Sequence, residues 1–193
     1  MIGDKTVHVV IPARGGSERL PRKNIYPVWG KPMIYWAIRA SHMCQYVDKI
    51  FVSTEDEEIA NISISHGATL ILRPPRLSES HVFKQDVIIH AVEVMDKKPD
   101  IVISLQPNSP EIDHRDLTAA IDKFVKYDRN EIFTVNENLI QNAAFRIMKV
   151  DYVFQKSIST RCGVYVTKYV DVHDIDNVEF LEANREPCRG TTK

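Results

Sequence analysis

Ile11–Asn24 reads IPARGGSERLPRKN, with four cations (Arg14, Arg19, Arg22, Lys23) and two adjacent glycines at the end of an apolar run, Thr6–Pro12. An arginine offers phosphate oxygens a planar fork, and a lysine offers a mobile point charge. Glycines allow positive φ and bring backbone N–H groups close to an anion. The chemistry expected of Arg14, Gly15, Gly16 and Lys23, with Arg19 and Arg22 nearby, is therefore capture of a polyphosphate, with Arg14 and Lys23 as the working cations. The spacing matches neither G-x-x-x-x-G-K-[ST] nor G-x-G-x-x-G, so the usual ATP and NAD loops lack their signature. An NAD-dependent dehydrogenase is correspondingly a distant reading.

A second candidate is the pair Asp174 and Asp176, separated by one residue. On an extended segment both carboxylates would point to one face. Paired hard oxygens together with triphosphate oxygens suit Mg²⁺, which takes few protein ligands. The denser acidic run Glu55–Glu58 reads instead as the first turn of a helix, where it complements the dipole. His81, His90 and His114 lack metal-ligand spacing, and no Ser-His-Asp arrangement can be drawn. Trp29, Tyr35 and Trp36 read as packing residues and not as a platform for bases.

These residues need a scaffold, and the pattern supplies one. Strands are predicted at Thr6–Pro12, Asp48–Ser53, Ala68–Leu72 and Asp100–Leu105, with helices after Lys31-Pro32, after Thr54, over Phe83–Met95 and over Asp116–Tyr127. Thr54 with Glu57 forms an expected capping box, and Gly67 an expected helix stop. Strand-like IFTVN, FRIMKV and GVYVTKYV follow, then a short helix in HDIDNVEFLEANRE. Strands alternating with helices imply βαβ units and a mainly parallel sheet. In such folds ligands gather at the carboxyl ends of the strands.

The bulk properties narrow the partners. The 193 residues, 44% hydrophobic and 26% charged, fit one domain over 1–193, with 185–193 as a flexible tail. A net charge of -1 gives no global field for nucleic acid, so any cationic site must be local. Cys44, Cys162 and Cys188 form no C-x-x-C pair, which fits a reducing cytoplasm. With no signal-like N-terminus and no apolar run near the roughly 20 residues of a membrane span, a soluble cytoplasmic protein is expected.

IPARGGSERLPRKNIYPVWGKPMIYWAI closely resembles the N-terminal signature of the acylneuraminate cytidylyltransferases, the CMP–sialic acid synthetase family. VSTEDEEIA, LRPPRLS, LQPNSP and DIDN follow in that family's order. The resemblance implies a Rossmann-like three-layer α/β/α sandwich of the nucleotide-diphospho-sugar transferase type. It implies CMP transfer from CTP to a sugar acid such as sialic acid or a related nonulosonate, with release of pyrophosphate and use of Mg²⁺. By the same resemblance Arg14, Gly15, Ser17, Lys23, Asn24 and Arg73 contact the nucleotide, Gln106 faces the acceptor, and Asp174 and Asp176 hold the metal.

The sequence departs from the family on the acceptor side. It is shorter between the fifth strand and DIDN, where the family carries an arm that reaches across a dimer. RCGVYV stands where NGAIYI is common, ESHVFKQD lacks the small residues usual there, and LQPNSPEID lacks a following arginine. A different small acid or a phosphonate as acceptor, a non-catalytic CTP-binding relative, and a homodimer all stay open.

Overall fold

The computed structural model describes residues 1–155 and 157–188; of the expected tail, 189–193 lie outside the described residues. β1 (Val7–Pro12) is nearly all buried, as its β-branched run requires. The chain then makes a 3-10 turn over Lys23–Ile25 and a small hairpin of β2 (Pro27–Val28) and β3 (Lys31–Pro32). Trp29 and Gly30 turn it with φ of 50° and 71°, the two positive values that a two-residue hairpin loop demands. α1 (Met33–Met43), β4 (Lys49–Thr54), α2 (Glu57–Ser65) and β5 (Thr69–Leu72) follow. Next come α3 (Lys84–Glu93), β6 (Ile101–Leu105) and α4 (His114–Lys126). The chain continues through β7 (Glu131–Val135), β8 (Gln141–Lys149), α5 (Val150–Val153), β9 (Cys162–Val166) and α6 (Ile175–Asn184).

Seven strands form one sheet in the order β5-β4-β1-β6-β8-β7-β9. Strand alternation divides its side chains between two layers. Val7, Val9 and Ile11 of β1 join Ile50, Val52, Ile101 and Ile103 in a core covered by α1, α2 and α4. Val10, Phe51 and Val102 point the other way and pack with Ile88, Ala91 and Val92 of α3 and Val153 of α5. The protein is thus the expected three-layer α/β/α sandwich. The sheet is mainly parallel, but β8 runs antiparallel to both neighbours, β6 and β7. A third cluster seats α6 on the small hairpin through Leu20, Val28, Met33, Val178 and Leu181. Burying each such aliphatic side chain contributes about 1.5–3 kcal/mol. Among the described residues no helix is long and apolar enough to cross a membrane.

Two local expectations are corrected. Thr54 does not cap α2: it ends β4, fully buried, and its hydroxyl accepts the Asp56 N–H at 3.1 Å. Asp56 is the cap, accepting the Ile59 N–H at 3.0 Å, because the strand runs one residue further than its apolar pattern suggested. The Asp174–Asp176 segment does not stay extended either: Asp174 is extended, but the helix begins at Ile175. Asp174 caps α6, accepting the Asn177 N–H at 3.1 Å, and Asp176 lies exposed in the first helical turn. Residues two apart on a helix do not share a face, so the one-face argument for this pair does not hold.

Candidate active site

The carboxyl ends of β1 and β6 open into a cleft of about 340 Å³. Arg14, Gly16, Ser17, Lys23, Asn24, Arg73 and Gln106 line it, so the fold brings together seven of the residues singled out from sequence. Gly15 is not among the lining residues, its N–H being taken by Glu55, while Asp174 directly follows His173 on the cleft wall. A larger cavity of about 630 Å³ runs along the β4–β5 edge and carries none of these cations.

The loop is braced from beneath by the acidic run. Gly15 N–H donates to Glu55 Oε1 at 2.8 Å, and the Ser78 hydroxyl donates to Glu55 Oε2 at 2.7 Å. Arg22 binds Asp56 through both carboxylate oxygens and reaches Glu58 at 2.6 Å. Arg22 itself has a φ of 56°, the left-handed position that starts the 3-10 turn. Neither Gly15 nor Gly16 has positive φ, contrary to the expectation for this pair. Gly15 is required for close approach: a Cβ there would lie 2.4 Å from Asp56 Oδ2, whereas one on Gly16 meets nothing within 4 Å.

Asn24 and Arg73 hold the walls as well as line them. The buried Asn24 amide donates to the Arg14 carbonyl at 2.9 Å. Arg73, 4% exposed, donates from Nε to the Ser53 hydroxyl at 3.3 Å, also binds the Ser53 carbonyl, and stands 3.9 Å from Glu55. Burial lowers the Arg73 pKa, with the Glu55 carboxylate working against that shift.

Lys84 was missed by sequence reasoning, yet it projects into the same cleft from the first position of α3. The signal was available: a cation in a first helical turn opposes the dipole, and Phe83 supplies no side-chain cap. His173 and Asp171 were missed too. The Ser109 hydroxyl donates to Asp171, and Asn108 and Val172 exchange hydrogen bonds, zipping this segment to the LQPNSP loop.

Cations dominate the electrostatics, the exposed Glu79 being the one carboxylate among the lining residues. Among the described residues, Arg14, Arg19, Lys23 and Lys84 form no ion pair within 4.0 Å, whereas Arg22, Arg115, Arg146 and Arg161 all do. Burial, then Arg19, Arg14 and Lys84, pushes the Lys23 ammonium below the usual lysine value. Burial does the same to Lys84, against the pull of Asp171. His173 is lowered by burial and by Lys23 and Arg19. A concave site of mutually repelling cations is completed by a polyanion.

Lys84 and Gln106 also line a second cavity of about 370 Å³, beyond the first, with Ser104, Asn142, Phe145 and Arg146. Its polar walls are fixed: Arg146 binds Glu131 at 3.0 Å and Gln85 at 2.8 Å. Asn142 donates to the Thr167 hydroxyl at 2.8 Å, leaving its Oδ1 buried without a partner among the described residues. Buried acceptors normally have one.

Residues 8–168 match the sequence model of a family described as cytidylyltransferase. The pseudaminic acid cytidylyltransferase of Campylobacter jejuni (serotype O:2) is 32% identical over 132 residues, 66% of this chain and 57% of that protein. The N-acylneuraminate cytidylyltransferase A of Danio rerio is 32% identical over 129 residues, covering 67% and 30%. The CMP-N,N'-diacetyllegionaminic acid synthase of Legionella pneumophila is 38% identical over 108 residues, covering 52% and 45%. The chain thus spans between 30% and 57% of the length of these relatives. Among solved structures, a CMP:2-keto-3-deoxy-manno-octonic acid synthetase complexed with CTP superposes with a TM-score of 0.76 at 17% identity, over 92% of this chain and 97% of that one. A manganese complex of Rv0371C from Mycobacterium tuberculosis gives 0.64 at 10% identity, over 93% and 99%. At such identities the likeness is one of fold.

Proposed function

The chain belongs to the cytidylyltransferase family, and on that premise we propose that it transfers CMP from CTP to the hydroxyl of a sugar acid, a sialic acid or related nonulosonate. The observation that carries this reading is the cleft at the carboxyl ends of β1 and β6, where Arg14, Arg19, Lys23 and Lys84 converge with no ion pair among the described residues. Arg14 and Lys23 grip the triphosphate, Arg19 adds charge, and Ser17 and Gly16 face the phosphates. Asn24 and Arg73 shape the nucleoside side. Gln106, on the wall shared with the second cavity, faces the acceptor. Lys84 on the same wall suits the acceptor's carboxylate, and Asn142 Oδ1 suits a hydroxyl or amide donor.

The acceptor oxygen forms a bond to the α-phosphorus as the bond from that phosphorus to the bridging oxygen breaks and pyrophosphate leaves. The hydroxyl proton passes to solvent. Fixed cations around the triphosphate stabilise charge that grows on the phosphate oxygens, the main service a protein gives this kind of reaction. Hard carboxylates next to the cleft, where Asp174 follows His173, fit an ion that takes few protein ligands. In our reading, which rests on the family resemblance and not on a shared face, Asp174 and Asp176 would hold Mg²⁺. A bound Mg²⁺ would neutralise triphosphate oxygens and ease the departure of pyrophosphate. The reaction is assigned to the cytoplasm, by a monomer or homodimer.

The test is incubation with CTP, Mg²⁺ and a panel of nonulosonates and smaller sugar acids, followed as pyrophosphate release. Turnover with at least one acid is expected. Tight CTP binding with no turnover on any acid would instead favour a binding protein. Lys23→Ala should lower kcat/KM by about 100-fold or more with little change in Tm; equal loss of folding would remove its assigned role.

A further inference from the structure

Away from the cleft, α4 begins beside a second set of groups able to ligate a metal. The Asp113 carboxylate, His114 Nδ1 and Cys188 thiol bring their ligand atoms within 4.8 Å of one another. His114 showed no ligand spacing in the sequence because its companion lies far along the chain, on the segment after α6.

Two of the three groups are already held in place. Asp113 caps α4 by accepting the Arg115 N–H at 2.8 Å, and Arg115 Nε donates to its two oxygens at 3.1 and 3.0 Å. Such outer bonds are what commonly aim a ligating carboxylate. Cys188 is held from its backbone, where Arg39 of α1 donates to its carbonyl at 2.6 Å. His114 Nδ1 is buried without a hydrogen-bond partner among the described residues, with Asp113 Oδ1 3.3 Å away. A buried ring nitrogen left in that state calls for a partner, and a cation between the three groups would supply it. Ligand atoms around a tetrahedral zinc stand about 3.3–3.8 Å apart, so small side-chain rotations close the site.

The donor types choose the ion. Thiolate, imidazole and carboxylate together favour zinc over the magnesium that all-oxygen sites take. We propose that Asp113, His114 and Cys188 form a zinc site of three protein ligands that fastens the segment after α6 to the start of α4. On binding, the thiol proton goes to solvent as the sulfur–zinc bond forms. The competing arrangement is a plain polar contact, with the Cys188 thiol hydrogen-bonded to Asp113.

Untagged full chain, stripped with a chelator and free of nucleotide and Mg²⁺, would be titrated with Zn²⁺ against a chromophoric competitor, and separately with Co²⁺. One equivalent of Zn²⁺ is expected, and a Co²⁺ complex showing thiolate charge-transfer absorption with the d–d bands of a four-coordinate ion. Cys188→Ser should abolish the charge-transfer band and weaken Zn²⁺ by more than about tenfold. His114→Gln should weaken it similarly, while Cys44→Ser and Cys162→Ser should change neither readout. Unchanged circular dichroism would show that the variants fold. Absence of stoichiometric uptake, or uptake that survives both Cys188→Ser and His114→Gln, overturns the proposal.

Discussion

Gly15 and Gly16 are neighbours with opposite tolerances. Gly15→Ala would force a methyl group against Asp56, so it should cost about 1–3 kcal/mol and lower Tm. Gly16→Ala should stay within about 0.5 kcal/mol because its Cβ direction is open. Equal melting of the two variants would refute the close-approach account. The carboxylate that crowds Gly15 also makes the loop acid-sensitive. Arg22 hydrogen-bonds ionised Asp56 and lowers its pKa; burial opposes this, and the Ile59 N–H assists. A lowered folded value adds stability that is complete above the unfolded carboxylate value of about 3.9 and lost as pH falls through the folded one. Urea midpoints from neutral to acid pH should therefore drop more steeply for the native protein than for Asp56→Asn, and parallel curves would dismiss the pair. The sequence showed Arg14 and Lys23 by type and spacing alone. The work of Asp56 was hidden, since a first-turn acid reads the same whether or not an arginine reaches it from another loop.

At the scale of elements, α6 carries two roles at one residue. Asp174 caps the helix and is proposed to hold the metal, and substitution can separate these. Asparagine caps about as well as aspartate, so Asp174→Asn should keep Tm while raising the Mg²⁺ concentration needed for turnover. Asp174→Ala should in addition lose about 0.5–2 kcal/mol. An unchanged Mg²⁺ titration for Asp174→Asn would leave the residue a cap and nothing more. Helices were the most legible elements: α4 buries Leu117, Ala120, Ile121 and Phe124, the face its periodicity displayed. α5, a single turn, was invisible because four residues hold no period. The direction of β8 was equally hidden, since an apolar strand reads the same whichever way it runs.

Over the whole molecule, a net charge of -1 surrounds a cleft in which cations outnumber carboxylates. CTP binding should therefore be steered by the local field, not the total, and should weaken as ionic strength rises. Isothermal titration from about 0.05 to 0.5 M salt, a range that shrinks the Debye length severalfold, should show a steady loss of affinity. Salt-independent binding would mean that the cations do not face the triphosphate. The general plan was readable from alternation of strands and helices, while the second cavity was not. Its lining comes from α3, β6 and β8, which only the tertiary arrangement brings together.

The placement of β8 has a kinetic consequence. It lies between β6 and β7, so the half-sheet built from residues 7–105 is joined to the other half only through this one strand. β7 and β8 are a hairpin with a short connection, cheap to close, whereas β6 and β8 must meet across the segment that carries α4 and β7. Refolding should then form the hairpin ahead of its docking on β6, so backbone amides along the β6–β8 seam should gain exchange protection after those shared by β7 and β8.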